Sequence, residues 1–174
     1  MSDKKIPIIC GKVWKFGDNC DTGQIIPGRY VPLLDPYELA THLFEDVAPD
    51  FRAQITSGDI IVAGKNFGAG SSREHAPKSI KFSGIAAVVA DSFARIFYRN
   101  ALNIGLPVIP IPGINQDTDI GDVLEIDVYK GRIRNVTSDV GYEFVPYDPF
   151  IIEMLEAGGI VQQTINLLES ESTR

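Results

Sequence analysis

The sequence predicts an α/β fold built on a mixed sheet, and three observations predict it. Short apolar runs, "DIIVA" at 59–63 and "IAAVVAD" at 85–91, carry no alternating polar face and read as strands buried on both sides. Helix-like segments with clear start and stop signals lie between such runs. The stretch "DVLEIDVYKGRIRNVTS" at 122–138 alternates on both sides of Lys130-Gly131, as a hairpin does. Parallel strands need crossovers and a hairpin is antiparallel, so the sheet is expected to be mixed.

The elements follow in chain order. "KIPIICGKVWKF" (5–16) is expected as a strand rich in β-branched residues, and "GDNCDTGQIIPGRY" (17–30) as a loop, with glycines, aspartates and a proline. "DPYELATHLFED" (35–46) predicts a helix with Asp35 as N-cap, Pro36 in the first turn and Glu38 closing a capping box. A strand over 58–64 leads through a Gly- and Ser-rich stretch into a helix that ends near Gly84. After the strand at 85–91, "SFARIFYRNALNIG" (92–105) reads as a helix capped by Ser92 and stopped by Gly105. "PVIPIPG" (107–113) is extended, the hairpin follows, and "DPFIIEMLEAGG" (148–159) repeats the Asp-Pro start and closes at Gly158. The chain is expected to form one domain over 1–174, with a polar, frayed tail from about 165.

Composition excludes several function classes. Of 174 residues, 44% are hydrophobic, enough for a core. A net charge of −7 argues against nucleic acid, which needs a basic face. No apolar run approaches the ~18 residues of a membrane span. The start, "MSDKKIPIICGK", lacks the apolar core of a secretory signal, so a cytoplasmic protein with reduced thiols is expected. Two cysteines, Cys10 and Cys20, and two histidines, His42 and His75, scattered along the chain, cannot supply a four-ligand metal site. No metal or cofactor is expected on this chain.

The stretch "GKNFGAGSSREHAP" (64–77) places three glycines, two serines, an arginine, a glutamate and a histidine directly after a buried strand. Ser71 and Glu74 fit a capping box, but Pro77 would then fall in the second turn, where its missing N–H and ring cost ~3 kcal/mol. The helix is therefore expected to begin a few residues later, leaving Ser71 and Ser72 in the loop. Arg73 stands where a dinucleotide fingerprint needs its third glycine, and no Gly-x-Ser-x-Gly elbow occurs. What remains is an anion site at a helix N-terminus. Gly70 lets the backbone approach a ligand, loop N–H groups favour negative charge, and Arg73 offers a planar fork for a carboxylate. Those N–H groups would also stabilise a serine alkoxide, so either Ser71 or Ser72 is a candidate general base. His75 is read as structural.

Three segments in order, "GDNCDTGQIIPGRY", "GAGSSREHAP" and "SFARIFYRNALNIGLPV", resemble the small subunits of the isopropylmalate isomerases of the aconitase superfamily, over about Asp18 to Gly113. The resemblance implies a swivelling β/β/α domain like the aconitase C-terminal domain. It implies a separate large subunit whose three cysteines hold a four-iron, four-sulfur cluster, the Lewis acid for the departing hydroxyl. It implies a small dicarboxylate hydroxy-acid substrate, isomerised by dehydration and rehydration in leucine synthesis. Residue by residue, it puts Ser71 on the base and Ser72 and Arg73 on substrate-binding positions. Cys20 falls in a matched loop as a non-ligand.

The chain departs from that pattern twice. Relatives carry Asp-Thr-Asp where this chain has Asp21-Thr22-Gly23, and their specificity loop reads Tyr-Leu where this one reads Tyr30-Val31-Pro32-Leu33. The specificity loop, Arg29 with Tyr30, Val31, Pro32 and Leu33, presents an apolar wall suited to an aliphatic branch, with Arg29 as its one charge. Three alternatives stay open: a homoaconitase, a methyl-substituted malate dehydratase, and a non-catalytic ligand-binding domain on the same fold. A homo-oligomer of the isolated chain also stays open.

Overall fold

The structure is a computed structural model and describes residues 6–70 and 72–172. Strand β1 (Ile9–Phe16) is followed by helix α1 (Thr22–Ile25), a 3-10 turn (Gly28–Tyr30) and helices α2 (Pro36–Ala40) and α3 (Phe51–Gln54). Then β2 (Ile60–Ala63), α4 (His75–Phe82), β3 (Ala87–Ala90), α5 (Arg95–Asn103) and β4 (Val108–Pro110) alternate. Helix α6 (Ile114–Asp117) precedes β5 (Val123–Asp127), β6 (Arg132–Asn135) and β7 (Val140–Glu143), and α7 (Pro149–Ala157) and α8 (Ile160–Ser172) follow.

The seven strands form one sheet in the order β4-β3-β2-β1-β5-β6-β7. The β1 to β4 half is parallel and the β5 to β7 half antiparallel, with β1 pairing in both senses. The mixed sheet is therefore as the sequence predicts. Its two faces bury different residues. Ile61, Ala63, Val88, Ala90 and Val108 join a core with the helix residues Leu39, Ile80, Phe97 and Leu155. Their chain neighbours Ile60, Val62, Ala87, Val89 and Ile109 join a second core with Leu124, Ile126 and Ile133 from the antiparallel half. Strand residues dominate that second core, so the sheet folds back on itself. The layers are sheet, sheet and helices, the expected β/β/α arrangement. Burial on both sides is why β2 and β3 read as unbroken apolar runs.

Local signals hold where they depend on nearest neighbours. Asp35 and Asp148 cap α2 and α7 with a proline in the first turn, accepting from Tyr37 N–H and Phe150 N–H, but Glu38 does not close the expected capping box. Gly158 closes α7 in the left-handed region, and Gly105 follows α5 there. The hairpin turns at Lys130-Gly131, as expected.

Several elements differ from expectation. The segment 17–30 contains α1, which Asp21 and Gln24 close with a reciprocal capping box. Helix α2 stops at Ala40, and the chain turns through Leu43 and Phe44, both buried, because Phe44 is taken into the core with φ 56°. Ser92 does not cap α5, whose N-cap is Ala94 without a side-chain bond. The Ser92 hydroxyl instead accepts from Asn66 N–H at 2.9 Å. A third antiparallel strand, β7, extends the hairpin. Beyond 165, where a frayed tail is expected, α8 continues helical to Ser172, and residues 166–171 are exposed. Among the described residues, no helix is long and apolar enough to cross a membrane.

Candidate active site

Three loops meet beyond the C-terminal ends of the parallel strands β1, β2 and β3, where open α/β sheets commonly place their ligands. The loop after β2 is tied to the loop after β1 by backbone and side-chain bonds. Asn19 N–H donates to Lys65 O at 2.7 Å, Gly68 N–H to Cys20 O at 2.8 Å and Thr22 N–H to Ala69 O at 2.8 Å. Lys65 N–H donates to the Asp18 carboxylate at 2.7 Å, and the Asn66 amide to Asn19 Oδ1 at 3.1 Å. On its other side, Phe67 N–H donates to Ser92 O and Ala94 N–H to Phe67 O. The segment the sequence marks as an anion loop is therefore held from both sides, as a preorganised binding loop requires.

Gly68 is needed where the loop crosses α5. Its φ is +78°, and a Cβ there would stand 2.1 Å from Phe97 Cγ. Gly70, also left-handed at φ +96°, is exposed and sits beside Thr22. Ser71 lies outside the described residues. Ser72 is exposed in irregular backbone, and its carbonyl accepts from the Asn100 amide of α5 at 3.2 Å. Helix α4 begins at His75, so Pro77 sits in the first turn, where its missing N–H is harmless. The sequence argument against Ser71 as the cap is met by the cap itself, which is Glu74. His75 is half-buried with Nδ1 unpartnered among the described residues.

Arg73 is half-buried and forms no ion pair among the described residues. Its guanidinium lies against Gly28, with Nη1 only 3.2 Å from where a Gly28 Cβ would be. That contact joins the loop after β2 to the turn that opens the 29–33 segment, since Gly28 lies 45 residues before Arg73 in the chain. Two positions that matter here were missed from sequence: Gly28, which makes room for Arg73, and Asn100, which holds the Ser72 carbonyl. Both act across long chain separations, so no local pattern could mark them.

The specificity segment itself is fixed from behind. Arg29 does not stand free. It donates to both carboxylate oxygens of Asp46 at 2.8 and 2.6 Å and to Glu45 at 3.0 Å. The Tyr30 hydroxyl donates to Glu45 at 2.7 Å, and the Tyr30 ring stacks on His42 at 3.6 Å between centroids. Hydrogen bonds from Tyr30, then His42 and Arg29, hold the Glu45 carboxyl down at about 2. Arg29 likewise lowers the carboxyl of Asp46 by hydrogen bonding. Val31 and Leu33 are half-buried and Leu33 packs on the core, whereas Pro32 is exposed.

The chain's donor set does not fit an iron–sulfur cluster. Cys10 is exposed on β1, and Cys20 is buried with its thiol pushed up to about 12, chiefly by desolvation. Among the described residues, no three His, Cys, Asp or Glu side chains gather as a metal site.

Comparison with known proteins agrees with this arrangement. The family model described as "Aconitase C-terminal domain" matches residues 17–113, more than half of the chain. A 3-isopropylmalate dehydratase small subunit of Thermodesulfovibrio yellowstonii is 52% identical over 95% of this chain and 99% of its own length. A methanogen homoaconitase small subunit of Methanothermobacter thermautotrophicus is 50% identical over 94% of each chain. A solved structure of a 3-isopropylmalate dehydratase from Methanocaldococcus jannaschii superimposes with a TM-score of 0.86 at 44% identity, over 95% of this chain and 99% of that one. The chain belongs to the aconitase C-terminal domain family, among the small subunits of the 3-isopropylmalate dehydratase type.

Proposed function

We propose that the chain is the small subunit of a hydro-lyase that isomerises 2-isopropylmalate to 3-isopropylmalate by dehydration and rehydration, in leucine synthesis. It acts as one domain, in complex with a large subunit. The observation that carries the reading is that Arg73, half-buried and without an ion pair among the described residues, lies against Gly28, next to an arginine, Arg29, that is neutralised. A half-buried cation without a carboxylate partner favours an anionic ligand, and a planar fork suits a carboxylate best.

Within this reading Arg73 grips a substrate carboxylate, and Gly70 and Ser72 offer backbone and hydroxyl to it. Ser71 removes the proton from the substrate carbon, its alkoxide held by loop N–H groups and the start of α4. Val31, Pro32 and Leu33 line the side that receives the aliphatic branch. The site also needs a second surface. Gly70, Ser72, Arg29 and Pro32 are exposed in this chain, and chemistry that must exclude water is closed by the partner. The cluster finds no donor set here and is assigned to the large subunit, so this chain's share is the proton and the carboxylate.

The homoaconitase relative keeps a second substrate in view, since it is nearly as similar as the dehydratases. Co-expression with a candidate large subunit, followed by an anaerobic assay on 2-isopropylmalate, homoaconitate and methyl-substituted malates, tests the reading. Turnover of isopropylmalate by the complex, and by neither chain alone, is the expected result. A small subunit that neither co-purifies with the large one nor restores its activity would refute it.

A further inference from the structure

Arg29 lies one residue after Gly28, against which the Arg73 guanidinium packs. A second free guanidinium here would sit next to the proposed carboxylate clamp and would suit a substrate with an extra carboxylate. The chain ties it up instead. Asp46 takes Arg29 in a bidentate pair, and Glu45 adds a third bond. Glu45 also accepts from Tyr30, and its other oxygen is 2.5 Å from His42 Nδ1, so the acidic pair is itself anchored. The Arg29 guanidinium lies 4.7 Å from the Tyr30 ring centroid, which adds a cation–π contact. Two acids thus neutralise one base at the edge of the substrate region, and the loop beyond is apolar.

We propose that Glu45 and Asp46 are specificity-determining residues, which keep Arg29 occupied and thereby hold the substrate region to acids with an aliphatic branch. This rests on the reading above that Arg73 and the 31–33 segment contact substrate. The acids do not touch substrate. They act through Arg29, and a positioning role of this kind predicts a change in preference rather than a loss of rate. Releasing Arg29 adds one cation that can form a charge-assisted bond to an extra carboxylate, which corresponds to about tenfold or more in relative affinity.

The test compares the wild-type complex with complexes carrying D46N, E45Q/D46N and R29Q/E45Q/D46N. Each is assayed for kcat/KM on isopropylmalate and homoaconitate, and for the dissociation constant of each acid by calorimetry. A ratio of two substrates is insensitive to a fraction of unfolded subunit. The expected result is a rise of about tenfold in preference for homoaconitate in E45Q/D46N, a smaller rise in D46N, and reversal when R29Q is added. An unchanged preference in E45Q/D46N, or a rise that persists with R29Q, overturns the inference. Calorimetry separates the two claims. A complex that turns over neither acid, yet gains tricarboxylate affinity in E45Q/D46N, refutes the proposed reaction and supports the role of the acids.

Discussion

Gly28→Ala tests the link between the anion loop and the specificity segment most directly. Gly28 opens the 3-10 turn and is not in the left-handed region, so alanine fits its backbone without strain. A Gly→Ala change at a compatible site stabilises a protein by ~0.4–1 kcal/mol, through a less flexible unfolded chain. The new methyl, however, would lie 3.2 Å from Arg73 Nη1, 3.9 Å from Nη2 and 4.0 Å from Cζ. The guanidinium must yield by a few tenths of an ångström, which its flexible stem permits. A bidentate grip on a carboxylate does not tolerate that shift well. Loss of one charge-assisted bond is worth ~1.5–3 kcal/mol, so a partial loss raises KM by about tenfold with a smaller change in kcat. The variant is therefore expected to melt no lower than wild type while binding substrate more weakly. Steady-state kinetics of the reconstituted complex and a thermal melt of the subunit read the two effects apart. The double-variant cycle with Arg73→Lys decides the cause, because the Gly28 effect should vanish once the fork is gone. An unchanged KM, or a KM increase that survives in the Arg73→Lys background, refutes the contact as the carrier of binding.

Ser71→Ala is expected to lower kcat by at least ~10²–10⁴ while the subunit still melts and assembles normally, and near-normal turnover would return Ser71 to a structural role. Gly68→Ala should cost about 2–5 kcal/mol in a denaturant melt, because it combines left-handed backbone strain with overpacking against Phe97. Pro32→Arg should shift the kcat/KM ratio toward homoaconitate, by supplying a cation in the exposed part of the apolar segment, and an unmoved ratio would detach that segment from substrate choice. The Glu45 carboxyl, lowered from 4.5 to about 2, contributes stability that is complete above 4.5 and is lost as pH falls toward 2. Acid unfolding of Glu45→Gln should accordingly be less steep than wild type across that window, and parallel acid limbs would contradict the network.

Features that rest on neighbours in the chain are legible without the fold. The Asp-Pro starts of α2 and α7, the glycine stops after α5 and α7, and the turn at Lys130-Gly131 depend on φ preferences and on side chains reaching two or three residues along. The apolar runs of β2 and β3 announced burial on both faces, and hence a covered parallel sheet. Pro77 alone sufficed to move the start of α4 beyond the serines. Features that depend on partners far away in the chain emerge with the fold. Ser92 carries the local signature of a cap, but Asn66 N–H, brought in from the loop after β2, takes its hydroxyl. The helix expected to run to Asp46 ends at Ala40, because core burial of Phe44 outweighs helix propensity. Arg29 and Arg73 look equivalent as residues, yet one is neutralised by Glu45 and Asp46 and the other lies over Gly28 with no ion pair among the described residues. That distinction is the basis for proposing Arg73 rather than Arg29 as the anion-binding arginine. It arises from contacts spanning 16 to 17 residues for Arg29, and more for Arg73, where loop closure and packing, not local propensity, choose the partner.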